Sequence, residues 1–116
     1  MNSGLQSISP VISSDRAEKA LNFLVDSDHK LALLEGELRN AEQRADIQEQ
    51  LGFLEANGAN VREREAKAKT EAKYLAALGD VTRAEIEYKT LRYQRASAEI
   101  LINCWRTQES SRRQGV

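Results

Sequence analysis

The chain has a single cysteine, a single proline, a single histidine and, for aromatics, only two Phe, one Trp and three Tyr in 116 residues. Each scarcity removes a class of protein. With Cys104 alone no internal disulfide can form, which excludes a disulfide-stapled secreted domain and fits a reducing compartment. Its neighbours Ile100, Leu101 and Ile102 make it a small, partly buried helix residue rather than a nucleophile. His29 stands beside Asp26 and Asp28, yet no second His and no nearby Cys completes a ligand set. It reads as a solvated residue at a helix start, and no metal is expected. So few large rings cannot fill a wide globular core, whereas a narrow Leu/Ala seam between helices needs few.

Other absences narrow the field further. No apolar run approaches the roughly 20 residues that cross a bilayer, and residues 1–14 lack the basic start and apolar stretch of a signal peptide. The expectation is a cytoplasmic protein with no membrane partner. Gly52, Gly58 and Gly79 are isolated, so no glycine-rich phosphate loop is present. Carboxylates recur with a base four residues on, as in Glu35/Arg39 and Glu63/Lys67, which is the pattern of an exposed helix face rather than of paired catalytic acids. No catalytic residue, cofactor or small-molecule substrate is expected.

What remains is abundant in Ala, Leu, Glu, Arg, Lys and Gln, the residues that lose least rotamer freedom in a helix. Charged residues make up 30% of the chain, with both signs interspersed. The expected fold is all-α: an antiparallel helical hairpin, or short coiled coil, with a short N-terminal helix. Residues 1–13, Ser-rich with Gly4 and Pro10, are expected to be flexible, residues 14–110 to form one domain, and residues 111–116 to fray.

Ser14 or Asp15 can cap a first helix, Asp15-Arg16-Ala17-Glu18 being the closer match to a capping box, with Ala17, Ala20, Leu21 and Leu24 on one face. Asp26-Ser27-Asp28 predicts a break or kink, because short polar side chains compete with the helical backbone. From about 28 to 56, Leu31, Leu34, Leu38, Ala41 and Ala45 follow the three–four spacing of a seam, and Leu51 and Leu54 continue it one position out of step. Asn57-Gly58-Ala59-Asn60 is the strongest punctuation: Asn57 or Gly58 suits a left-handed helix end, and Asn60 a cap for the next helix. That helix should run from about 61 to 110. Val61, Glu65, Ala68, Ala72 and Leu75 begin its inner face. Ala77, Val81, Ala84, Tyr88, Leu91, Arg95, Ala98, Ile102 and Trp105 continue it, with a possible kink at Gly79 where the register changes.

The 28–56 helix can cover only the first half of so long a partner. The second half must pack on residues 15–25, on another subunit, or on both. A homo-oligomer is therefore expected, with Tyr88, Leu91, Arg95, Ile102 and Trp105 at its interface. Arg95 is the odd member of that row. A buried charge needs a partner, so it should meet a carboxylate or reach the surface, and it suits a role in setting register.

The small net charge of −1 hides an uneven distribution. Residues 1–57 carry five positive and ten negative groups, residues 58–116 twelve and eight. This split can favour pairing of the halves or of subunits, or leave a basic strip for an anionic partner. Arg62, Lys69 and Lys73 share a face after the turn, flanked by Arg64 and Lys67. Arg92, Arg106 and Arg113 recur later, joined by Lys89 and Arg112, with Tyr93 and Trp105 nearby. Arginine grips phosphates bidentately and rings stack on single-stranded bases. The competing reading is that Tyr88 and Trp105 simply pack in the seam and that Glu63, Glu65, Glu71 and Glu99 dilute the basic faces.

Two stretches carry a resemblance. One is Phe53-Leu54-Glu55-Ala56-Asn57-Gly58 with Val61-Arg62-Glu63-Arg64-Glu65-Ala66-Lys67-Ala68. The other is Tyr88-Lys89-Thr90-Leu91-Arg92 with Ala98-Glu99, Ile102, Trp105-Arg106 and Arg112-Arg113. Together they resemble small helical proteins of tailed bacteriophages and, more remotely, phage recombination mediator proteins, which load a recombinase on single-stranded DNA. The resemblance implies a helical hairpin that assembles into rings and binds single strands weakly. It also implies a recombinase or single-strand-binding protein as partner, and the host cytoplasm as location. Arg62 and Arg64 fall where such proteins carry basic residues after the turn. The alternative left open is a coiled-coil adaptor or structural protein that binds another protein without nucleic acid.

Overall fold

The computed structural model describes residues 11–58 and 60–115. Residues 1–10 of the expected flexible segment, Ala59 of the expected turn and Val116 lie outside the described residues. The described chain is helical, with three helices and no strand among its residues: α1 (Ser14–Glu55), α2 (Val61–Thr70) and α3 (Ala72–Gln114). None of the three is long and apolar enough to cross a membrane.

The chain divides into two compact units. One holds Met1–Asp28 and Tyr93–Val116, the other His29–Arg92.

In the first unit, α1 is capped by Ser13, not by Ser14 or Asp15, both of which are already helical. The Ser13 hydroxyl accepts the Arg16 N–H at 3.1 Å and its carbonyl accepts the Ala17 N–H at 3.1 Å. The residue before the first helical turn is the one whose side chain can reach back to an orphan amide. Asp15 pairs instead with Lys19 at 3.2 Å. No break occurs at Asp26-Ser27-Asp28. The Ser27 hydroxyl donates to the Phe23 carbonyl one turn back, at 2.6 Å, and so satisfies itself inside the helix. Asp26 and Asp28 stay exposed, and Ser27 takes an inward position beside Ala17, Ala20 and Leu24. Opposite lie Arg95, Ala98, Ile102 and Trp105 of α3, all buried or half-buried. Ile12 and Gln108 exchange two hydrogen bonds of 2.7 Å, backbone amide to side-chain carbonyl and side-chain amide to backbone carbonyl. Arg95 reaches Leu24, Ser27 and Asp28. Early residues of one segment thus meet late residues of the other.

In the second unit, Leu31, Leu34, Leu38, Ala41 and Ala45 turn inward as the spacing predicts. The expected continuation through Leu51 and Leu54 does not hold, since both are exposed. The three–four rhythm instead passes through Gln48 and Gly52, so that a glycine rather than a leucine ends the buried row. A Cβ built on Gly52 would lie 3.3 Å from both Cα and Cβ of Ala68. The close approach of α1 and α2 is what fills that position, and it leaves no room for leucine.

The turn between α1 and α2 is also built differently from the expectation. No described residue has a positive φ, so neither Asn57 nor Gly58 closes α1 in the left-handed form. The last turn of α1 contains no basic residue, and its free carbonyls are met from α2. Arg64 donates to the carbonyls of Ala56 (3.2 Å) and Leu54 (3.4 Å), with its guanidinium 5.0 Å from the Phe53 ring centroid. Lys67 donates to the carbonyl of Asn57. Cations at a helix C-terminus satisfy orphan carbonyls and oppose the negative end of the dipole. Asn60 caps α2 as predicted, its side chain accepting the Glu63 N–H at 2.9 Å.

The expected single helix over 61–110 is two helices. The interruption falls at Glu71, whose backbone is extended (φ −65°, ψ 135°), and α3 then runs through Gly79 to Gln114. Seam register explains the position. Ala68 is buried, but carrying the α3 row of Val81 and Ala77 backward in three–four steps would select Thr70 and Lys67. One extended residue absorbs the mismatch. Val61, Glu65, Ala72 and Leu75, expected on the inner face, are exposed, and Tyr74 takes the inward place.

Candidate functional site

Residues proposed for nucleic-acid contact divide by what already engages them. In α2, Arg64 and Lys67 hold the end of α1, and Lys67 also stands 3.7 Å from Glu63. Arg62 and Lys69, seven residues apart on the same helix, are exposed with no hydrogen bond or ion pair among the described residues. Lys73 is likewise exposed and unpaired, but it lies beyond the interruption at Glu71, on α3, so helical spacing no longer aligns it with the other two.

The later cluster is also split. Arg92 lies over the Tyr88 ring, 5.6 Å from its centroid, and Lys89 pairs with Glu85 at 2.6 Å. Arg112 pairs with Glu109 at 2.9 Å. Arg106 and Arg113 are exposed and unpaired among the described residues, and with Trp105 and Glu109 they line a shallow groove. Trp105 is half-buried, and its indole N–H is buried without an acceptor among the described residues. An orphaned buried donor costs about 1–3 kcal/mol.

The residues assigned to an oligomer interface lie in the chain's own packing. Leu91 is 5% exposed, and Tyr88, Ile102 and Trp105 are half-buried. The Arg95 side chain, 16% exposed, donates to the Leu24 carbonyl (2.7 Å), the Ser27 hydroxyl (2.7 Å) and the Asp28 carboxylate (2.6 Å). As the row predicts, this charge meets a carboxylate, and the meeting is within the chain.

A different α3 face is open. In the first unit, Tyr93, Ser97, Ile100, Cys104 and Thr107 recur at steps of four and three on the side away from the seam. None is charged, and neither are their flanking neighbours Gln94, Ala96, Leu101 and Asn103. Tyr93 is 69% and Ile100 63% exposed. Cys104, expected to be partly buried, is exposed on this face. A groove of about 690 Å³ runs beside it, walled by Ile100, Cys104 and Gln108 on one side and Val11 and Ile12 on the other. The signal for this face was present in the sequence as a second three–four row without charges. It was masked by the longer seam row on the opposite side of the same helix.

No group of three or more His, Cys, Asp or Glu able to hold a metal ion occurs among the described residues. Comparison with models of protein families, with curated proteins and with solved structures finds no match to the chain.

Proposed function

We propose that this chain is a non-catalytic helical hairpin of a tailed phage that assembles with itself in the host cytoplasm. It binds single-stranded DNA, or a recombinase or single-strand-binding protein resting on that DNA, as an accessory to recombination or replication. The hairpin reading is supported in each unit separately, since in the first Ile12, just before α1, bonds Gln108 while Leu24, further along, bonds the earlier Arg95 of α3, and in the second Gly52 abuts Ala68. The DNA reading rests on one observation. Arg62, Lys69, Lys73, Arg106 and Arg113 are exposed and spend no charge on protein partners among the described residues. Unpaired surface cations gain by displacing the counterions of a phosphate chain.

The direct experiment is fluorescence anisotropy of a labelled oligothymidylate against the full chain, at low salt and then at rising salt. The expected result is weak binding that falls steeply as salt rises. No binding at high micromolar protein in low salt overturns the DNA reading. The adaptor reading, favoured by the exposure of Ile86, Tyr93 and Ile100, would then stand, and co-purification with a protein partner after nuclease treatment would support it.

A further inference from the structure

We propose that the uncharged outer face of α3 in the first unit is the self-assembly surface, and that its occupant is the same face of a second copy, packed antiparallel. The proposal deepens the self-assembling part of the reading above and is independent of DNA binding.

Three features of this face argue for a second copy. First, it is neutral. In a chain with 30% charged residues, five consecutive positions of a seam-like row and their flanks carry none. A self-pairing face brings each charge near its own copy, so a like-charge clash is avoided only where charges are absent or balanced. Second, large and small residues alternate along it: Tyr93, then Ser97, then Ile100, then Cys104. In an antiparallel helix pair the two positions of the row face each other across the interface. Tyr93 then opposes Cys104 of the second copy, and Ser97 opposes Ile100. Symmetry repeats both layers, which gives four layers with one large and one small side chain each. A parallel pair would instead place Tyr93 on Tyr93 and Ile100 on Ile100, with gaps between at the serines and cysteines.

Third, a hole already exists where the knob must go. The groove walled by Val11, Ile12, Ile100, Cys104 and Gln108, with Asn103 at its edge, surrounds the position that faces Tyr93 of the second copy. Tyr93 is the most exposed aromatic side chain among the described residues in the first unit. Its ring can fill the apolar part of that groove, and its hydroxyl can reach the amide of Asn103 or Gln108 at the rim. A ring with an apolar body and a polar tip suits such a half-wet site. Each copy thus offers one knob and one hole, eleven positions apart on the same helix face.

The native Cys104 makes the orientation readable. Cross-linking with added diamide joins two nearby thiols as a disulfide, the two hydrogens passing to diamide. In the antiparallel pair two Cys104 residues lie apart, so the wild-type chain should stay largely monomeric on a non-reducing gel. Tyr93→Cys loses the knob but places a thiol against Cys104 of the second copy, so at high protein concentration, where the weaker pair still forms, it should give more cross-linked dimer than the wild-type chain; no gain over the wild-type chain overturns the antiparallel arrangement. Light scattering on the wild-type chain, on Ile100→Glu and on Tyr93→Glu completes the test, with circular dichroism confirming unchanged helix content. The expected outcome is an assembled wild-type chain and at least a tenfold weaker association for both glutamate variants. Efficient Cys104–Cys104 cross-linking in the wild-type chain overturns the antiparallel arrangement. Assembly that survives both glutamate substitutions overturns the face while leaving self-assembly intact. A wild-type chain that is monomeric at high concentration overturns both this proposal and the self-assembling reading.

Discussion

Arg95 of α3 and Ser27 of α1 are bonded across the seam of the first unit, guanidinium to hydroxyl at 2.7 Å. The serine hydroxyl in turn donates to the Phe23 carbonyl at 2.6 Å, and the same arginine holds Leu24 and Asp28. Two polar residues in an otherwise apolar row each supply what the other lacks. Pairing of this kind selects one alignment of the helices, because sliding either by a turn strands a donor.

Truncating the arginine should therefore cost stability. Arg95→Ala is expected to lose about 1–2 kcal/mol, since it removes hydrogen bonds at a largely desolvated site. Asp28 is 69% exposed, so Asp28→Asn should cost less than about 0.5 kcal/mol. Replacing both seam partners together, Ser27→Ala with Arg95→Leu, should recover most of the loss, as apolar replacement of a buried polar pair is often neutral. Urea denaturation followed by circular dichroism measures all three. A double variant as unstable as Arg95→Ala would contradict the pairing.

Two glycines on helices should respond in opposite senses. Gly36 has no atom within 4 Å of an added Cβ. Gly36→Ala should stabilise by roughly 0.5–1 kcal/mol through lower backbone entropy in the unfolded chain and better helix propensity. Gly52 faces Ala68 at 3.3 Å. Gly52→Leu should force α1 and α2 apart and destabilise by about 1–3 kcal/mol, the usual cost of overpacking. Thermal melts of the two variants beside the parent separate the cases.

The turn depends on Arg64. Arg64→Ala removes two carbonyl contacts and the stacking on Phe53, and should cost about 1–2 kcal/mol. The expected local consequence is faster hydrogen exchange at the end of α1 and the start of α2. Exchange rates unchanged at residues 54–64 would argue against the lock.

Charge removal should separate structural from free cations. Arg62→Ala with Lys69→Ala should weaken oligothymidylate binding and flatten its salt dependence by about one phosphate equivalent per cation. Thermal stability should be unchanged, because neither side chain has a protein partner among the described residues. Arg64→Ala should show the reverse pattern, with lower stability and little direct change in affinity.

The helical class, the Asn60 cap and the inner rows from Leu31 to Ala45 and from Ala77 to Trp105 were legible in the spacing. They were legible because in these stretches hydrophobicity and geometry agree. Where they conflict, residue type misled. Ser27 looked like a breaker but is a seam residue with its own acceptor and an arginine opposite. Leu51 and Leu54 looked like seam residues, but the row keeps its step and takes Gly52. Gly79 looked like the weak point, yet the mismatch between the Ala68 and Ala77 registers is resolved at Glu71, where no propensity signal stands. The basic residues after the turn were found by type and spacing. That Arg64 and Lys67 close the end of α1 is set across the turn, by which carbonyls lie in reach eight to ten residues back.

Among the described residues, six of the eight buried hydrophobic residues are alanines, the other two are Leu34 and Leu91, and no large side chain is fully enclosed. The usual damage to a protein interior, trimming a bulky group and opening a void, has few places to act here, Leu34 and Leu91 foremost. Elsewhere harm comes from enlargement. A methyl group replaced by an isopropyl at Ala41, Ala45, Ala68 or Ala98 wedges two backbones apart. Tolerance maps of this chain should therefore be lopsided, strict against large residues at the inner alanines and intolerant of truncation chiefly at Leu34, Leu91 and Arg95.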